Sequence, residues 1–250
     1  MVFIGILFIL VAVALFFAYR NQQAKLRAIG ATETSSAALL TQIHQQIVGS
    51  VGGDALAQVS EVSGVIECDT PLRGPVSGQA LVAYRYSVSR EYEEPVTRTN
   101  SEGKAETKIE RGSETIESAD KRTTFWLRDE TGRVMVDPEG AEIEEMQELA
   151  NRFEEANDPG LARRRNLGKR SRESGLPVGV RVFIFGTAID RGGQLVIARG
   201  PKRDARFLIT RKSERELVES GEGSARTLRL LAIVSGVIGV LSLIYGLVAA

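Results

Sequence analysis

TTFWLRDETGRVMVD, residues 123–137, decides the fold class of this 250-residue chain. Two runs of β-favouring residues flank Asp129-Glu130-Thr131-Gly132, the pattern of an antiparallel hairpin, with Gly132 suited to a positive φ in the turn. The same period recurs on both sides of it. In residues 80–90 (ALVAYRYSVSR), Val82, Tyr84, Tyr86 and Val88 alternate with Arg85, Ser87 and Ser89, so one face is to be buried and the other wet. Residues 178–189 turn at Asp190-Arg191-Gly192-Gly193 into residues 194–198, and the run VRVFIFG at 180–186, apolar on both faces, belongs in the core. Residues 59–68 and 206–210 add two further strands. Residues 91–109 read as an outlying, mobile hairpin turning at Asn100-Ser101-Glu102-Gly103, charged on both faces, with little apolar area to pin its register. The expected fold is α+β, a β-rich soluble domain whose antiparallel sheet curls or closes like a barrel.

Helices punctuate this pattern. Residues 36–48 form one, with Ser35 or Ser36 as N-cap and Leu40, Ile43 and Ile47 at helical spacing. His44, on this segment, is expected at the surface or on the helix flank. An amphipathic helix is predicted over 141–156, where Ile143, Met146, Leu149, Ala150 and Phe153 make one stripe and glutamates cover the rest. Ser213 and Glu216 match a capping box that starts a short helix, and Gly221-Glu222-Gly223-Ser224 reads as a loose tether.

Both ends of the chain are apolar. Residues 1–19 and 230–250 contain no charged side chain, and each is about the 20 residues a helix needs to cross a bilayer. The predicted organisation is a transmembrane helix at 1–19, a helical linker at 20–58, a soluble domain at 59–220, a tether at 221–229 and a second transmembrane helix at 230–250. The first span lacks a basic leader and a small-x-small cleavage site, so it is expected to be an uncleaved anchor. Arg20, Lys25 and Arg27 follow it, and Arg211, Lys212, Arg215, Arg226 and Arg229 precede the second span. The positive-inside rule then puts the central domain in the cytoplasm and both termini across the membrane. Ser235, Gly239, Ser242 and Gly246 form a small-residue seam along the second span, which either packs on the first span or joins two chains as a homo-oligomer.

Composition narrows the chemistry. Thirty-two Lys and Arg balance 32 Asp and Glu, so nothing attracts nucleic acid in bulk. Cys68 and His44 are the only cysteine and histidine, which excludes an intrachain disulfide and a Cys/His metal cluster. No catalytic residue, metal ligand or cofactor is therefore expected. Cys68 reads as a buried structural thiol at a strand end, and Gly74-Pro75 and Gly192-Gly193 as turns without nucleotide-loop spacing. Arg163, Arg164, Arg165, Lys169, Arg170 and Arg172 place six positive charges in ten residues. Such a loop either lies on anionic lipid headgroups, at up to about 1 kcal/mol per side chain, or stays solvated and balances the acidic segment upstream.

Two ordered motifs carry a family likeness. The segment Glu67-Cys68-Asp69-Thr70-Pro71-Leu72 with Val76-Ser77-Gly78 and Val82-Ala83-Tyr84-Arg85-Tyr86-Ser87-Val88 resembles the opening of the GIDE, or BAM ("beside a membrane"), domain. Phe125-Trp126-Leu127-Arg128-Asp129-Glu130-Thr131-Gly132, continued by Val136-Asp137-Pro138-Glu139-Gly140-Ala141, resembles a later part of it. The likeness covers roughly residues 59–213, and the order of anchor, domain and anchor is also similar to the family's. It implies a membrane-tethered interaction module that binds a protein partner or lipid. In the eukaryotic members a RING finger follows and recruits a ubiquitin-charged enzyme. One cysteine and one histidine cannot supply its zinc ligands, so the closer likeness is to bacterial members without a RING. Tyr84, Arg85, Tyr86, Trp126 and Arg128 are the binding candidates, since Tyr, Trp and Arg are favoured interface anchors. The competing role for the aromatic residues is core filling. A family-type ubiquitin transferase would need a partner chain bearing the metal or thiol.

Overall fold

The computed structural model describes residues 2–29, 34–51, 56–99, 103–157, 164–203 and 205–248. In chain order the elements are α1 (Val2–Ile29), α2 (Ala37–Val51), β1 (Ala57–Glu67), β2 (Leu72–Arg73), β3 (Ala80–Thr99), β4 (Ala105–Arg122), β5 (Phe125–Arg128) and β6 (Arg133–Val136). They continue with β7 (Glu142–Glu144), β8 (Gln147–Glu155), β9 (Arg165–Pro177), β10 (Arg181–Arg191), β11 (Gln194–Ala198), β12 (Leu208–Thr210) and α3 (Glu214–Val248). Residues 36–58 and 63–211 form one compact unit, and residues 1–35, 59–62 and 212–250 another.

In the larger unit, seven strands run in the order β1-β5-β6-β11-β10-β12-β7, and β1 also pairs with β10. That extra pairing returns the sheet to its own first strand: the Ile66 N–H donates to the Val180 carbonyl (2.9 Å) and the Gly179 N–H to the Ile66 carbonyl (2.8 Å). Five strands thus close a small ring and two more extend it, the curled sheet expected of the alternating pattern. Most pairings are antiparallel, while β6–β11 and β7–β12 are parallel. Ile66, Phe125, Leu127, Val136, Ile184, Ile197 and Ile209 fill the interior at 2 % exposure or less. The 180–186 run is core, as its two-faced apolarity requires.

The second sheet is β2-β3-β9-β8, with β4 pairing along the β2 side of β3. The long β3–β4 hairpin keeps one register from Ser89↔Thr115 out to Thr99↔Ala105. The backbone ladder carries that register where apolar area is scarce, and exposed polar pairs lie along it: Arg111–Glu93 and Arg98–Glu110 are ion pairs of 3.0 Å, and the Thr97 and Thr107 hydroxyls meet at 2.8 Å. The turn predicted at 100–103 is described only at Gly103; residues 100–102 lie outside the described residues.

Three expectations are corrected. Residues 141–156 are not a helix but β7 and β8, separated by Glu145 at a φ of 55°. Pairing overrides the helical period here, because Ile143 enters the core beside Ile209 and β8 lines up with the basic strand β9, setting Glu154 opposite Lys169 and Phe153 opposite Arg170. The supposed basic loop is largely that strand. Nor are residues 221–224 a loose tether, since α3 is unbroken from Glu214 to Val248. Its start is the predicted capping box: the Ser213 N–H and hydroxyl donate to Glu216 Oε2 (2.8 and 2.9 Å), and the Glu216 N–H donates back (3.3 Å).

In the smaller unit, α1 and α3 each contain a segment long and apolar enough to cross a membrane, Phe3–Asn21 and Gly223–Gly246. They pack antiparallel. A Cβ on Gly239 would stand 2.8 Å from Ile9 Cγ1, one on Gly5 2.7 Å from Leu243 Cγ, and Gly236 faces Ala12. Gly239 and Gly246 are buried, Ser235 and Ser242 half-buried, so this seam is occupied by α1 of the same chain.

Candidate functional site

Helix α2 and the face formed by β5, β6, β10 and β11 meet through two hairpin turns built alike. Each turn has Asp three residues before Gly. In the first, Asp129 Oδ1 accepts from the Thr131 N–H and hydroxyl (2.7 Å each) and the Gly132 N–H (3.0 Å). Gly132 does not adopt the positive φ expected of it. In the second, Asp190 Oδ2 accepts from the Gly193 N–H (3.0 Å), and here Gly192 and Gly193 take φ of 65° and 86°.

The other oxygen of each aspartate holds α2. Asp129 Oδ2 accepts from the Ala37 N–H (2.7 Å), in the first turn of the helix, where backbone donors lack intrahelical partners. The Thr131 hydroxyl oxygen takes the Ala38 N–H (3.0 Å), and Ser36, the predicted N-cap, takes the Leu39 N–H (3.2 Å). Two helical turns on, Asp190 Oδ1 lies 2.5 Å from His44 Nε2. Their side chains are 6 % and 10 % exposed, so His44 is a buried clamp where a surface or helix-flank residue was expected.

Both carboxyls are acidified. Burial pushes Asp129 upward, but the hydrogen bonds from Ala37, Thr131 and Gly132 outweigh it and hold its pKa below the ordinary value. The His44 hydrogen bond is the main cause lowering Asp190, followed by the Gly193 N–H. A group with a depressed folded pKa stabilises the folded form above its unfolded pKa, about 3.9 for aspartate, and loses that contribution as pH falls through the folded value. Protection of the α2 amides, taken relative to the intrinsic exchange rate at each pH, should therefore fall below about pH 4, ahead of the β10–β11 core. Asp190→Asn should flatten part of that pH dependence. Equal loss of protection in helix and core would refute the clamp.

Between α2 and the sheet runs an open groove of about 580 Å³, the size of a small-molecule or side-chain pocket. Val48, Trp126, Met135 and Leu195 supply apolar surface, and Gln45, Gln194 and Arg133 supply polar groups. The Arg133 guanidinium lies 4.4 Å over the Trp126 ring, while Trp126 Nε1 donates to Asp69 Oδ2 (3.3 Å). The indole is thus fixed from both sides before anything binds.

The predicted binding residues divide between the sheets. Trp126 lines the groove; Arg128 is exposed on the same strand and paired with Glu67 at 2.6 Å. Tyr84, Arg85 and Tyr86 are on β3 of the other sheet. Tyr84 is 7 % exposed core, Arg85 is exposed and paired with Asp120 (3.2 Å), and burial, then Glu117 and Glu173, raises the pKa of the half-buried Tyr86. Cys68 is half-buried and not the buried thiol expected, its Sγ 3.5 Å from the Thr124 carbonyl. Of the basic run, Arg163 lies outside the described residues. Arg164 stacks on Tyr92 and pairs with Glu94 and Glu114, Arg165 pairs with Glu93, and Arg170 bonds Glu91 and lies over Phe153. Lys169 and Arg172 are exposed, with no ion pair among the described residues. Sequence reading missed Asp129, Asp190 and Arg133 as site residues. The repeated Asp-x-x-Gly at two hairpin turns was the available signal.

A ring-closed β domain with a clamped helix, joined in one chain to two apolar helices, defines the class of protein. A family model named GIDE, described as E3 ubiquitin ligase, matches residues 93–245, and the chain belongs to that family. The match takes in the 125–141 motif and most of α3, but starts beyond the motif at 67–88. No curated protein and no solved structure matches the chain.

Proposed function

We propose that this chain is a membrane-anchored GIDE interaction module that receives a segment of a partner protein in the α2 groove and does not transfer ubiquitin by itself. The observation that carries this reading is the Trp126–Arg133 stack at the groove: a large, pre-positioned aromatic beside apolar walls is the usual energetic centre of a protein interface. The two aspartate clamps support it by making α2 a fixed wall. Antiparallel packing of α1 and α3 puts both chain ends on one side if these helices cross a bilayer. The basic residues flanking them then favour a cytoplasmic domain with both termini opposite.

Photo-crosslinkers placed at Gln45 and Gln194 in native membranes should capture the same partner, one at exposed Ile116 should not, and Val48→Arg should abolish capture. Equal labelling from all three sites would overturn the assignment. The family description supports a second reading, ubiquitin transfer together with a partner that supplies metal or thiol chemistry. Purified full-length chain incubated with a ubiquitin-charged conjugating enzyme separates the two: conjugates formed without a further chain would exclude the non-catalytic reading.

A further inference from the structure

β4 is the long open edge of the second sheet, and among the described residues it pairs only with β3. Such an edge presents a row of backbone donors and acceptors that a further strand can complete. Its most exposed large apolar residue is Ile109, at 72 %, on a ribbon otherwise dominated by charge.

The direction of Ile109's backbone follows from its partner. Ile109 stands opposite Pro95 on β3. In an antiparallel ladder a hydrogen-bonded pair exchanges two N–H···O bonds, and proline has no N–H to give. Ile109 and Pro95 therefore form the non-hydrogen-bonded kind of pair, and the N–H and carbonyl of Ile109 point away from β3 to the open edge. Pro95's own nitrogen faces the other side of β3, where the pairing with β9 among the described residues runs only as far as Glu93↔Arg165.

The sequence around Ile109 is complementary to itself when reversed. Laid antiparallel on a second copy about a two-fold axis at Ile109, residues 105–113 set Ile109 against Ile109, Lys108 against Glu110 and Glu110 against Lys108. Thr107 meets Arg111, Glu106 meets Gly112 and Ala105 meets Ser113, so no like charges oppose one another. Centring one residue earlier puts Lys108 on Lys108, and one residue later puts Glu110 on Glu110. Within one chain Lys108 pairs with Glu106 (3.4 Å) and Glu110 with Arg98 (3.0 Å); all four side chains are more than a third exposed, so these pairs yield readily to cross-copy ones.

We propose that two copies of this chain associate edge to edge through β4, antiparallel and two-fold about Ile109, joining their second sheets into one. This surface is separate from the α2 groove and stands or falls apart from it.

The test uses the purified full chain in detergent with Cys68→Ser, so that every thiol is an introduced one. At the two-fold, Ile109→Cys sets Cα atoms about 5.5 Å apart, within disulfide range, and should give a covalent dimer under mild oxidation. Arg111→Cys sets its two copies roughly 14 Å apart and should stay reduced. By dilution and light scattering, Lys108→Glu or Glu110→Lys should each weaken the dimer roughly tenfold or more, and the double exchange should restore it. Circular dichroism on each variant confirms that the fold is retained. A chain that stays monomeric throughout the dilution series, disulfides forming equally at both positions, or a dimer indifferent to the charge exchanges would each overturn the proposal.

Discussion

Glu173→Ala should lower the stability of the β domain by about 3–5 kcal/mol, a loss read as a fall of roughly 10 °C in Tm. Glu173 sits in β9 at 1 % exposure and accepts from the Val76 N–H (2.6 Å), the Ser77 N–H (3.1 Å) and the Ser77 hydroxyl. It replaces the ladder partners that the connection between β2 and β3 cannot have, so truncation strands two backbone donors at the cost of an unmade hydrogen bond each. Gly74 allows the approach: a Cβ there would stand 2.3 Å from Glu173 Oε1. Glu173→Gln keeps an acceptor and should cost less. Thermal unfolding of the two variants decides this, and an alanine effect below about 1 kcal/mol would mean that the turn is satisfied elsewhere.

The second large effect is expected at Gly64. A Cβ on it would lie 2.5 Å from the Arg128 carbonyl oxygen and 3.0 Å from Leu127 Cγ. The first obstacle is backbone, which cannot rotate aside, so Gly64→Val must push β1 away from β5. Because β1 also pairs with β10, that shift opens the ring at its closing strand. We expect a loss of about 3 kcal/mol, with Gly64→Ala less severe. Hydrogen exchange at Ile66 and Gly179 should accelerate before that at the β10–β11 pair. Wild-type exchange at Ile66 in the valine variant would show that the ring tolerates the side chain.

Neither residue was conspicuous in the sequence, and the reason is common to both. Glu173 reads as one acid in a basic stretch, and Gly64 as a weak point in a strand. Their importance comes from atoms on other strands: Val76 and Ser77 are about a hundred residues from Glu173, and Arg128 lies 64 positions beyond Gly64. The clamps on α2 behave likewise, with Asp129 reaching back 92 residues to Ala37 and Asp190 146 residues to His44. Of the binding candidates, only Trp126 lines the groove. Alternation along 80–90 set Tyr84 inward and Arg85 outward, but the expected wet face fails at the start of β3, where Leu81 and Ala83 are buried as well as Val82 and Tyr84.

By itself the sequence determined what rests on neighbours a few residues away. Period-two alternation specified the hairpin at 123–137, the two-faced apolar run at 180–186 specified a core strand, and Ser36 and Ser213 set the starts of α2 and α3. Long uncharged runs specified two helices able to cross a membrane. Only the tertiary structure decided what depends on distant partners. Residues 141–156 became strands because Ile143 reaches the core beside β12 and the acids of β8 meet the bases of β9. It also set the basic run into β9, buried His44 against Asp190 and used Gly239 within the chain. Local periodicity scores a residue by its own side chain, whereas cross-strand pairing, charge compensation and close backbone approach exist only once segments far apart in the chain have come together.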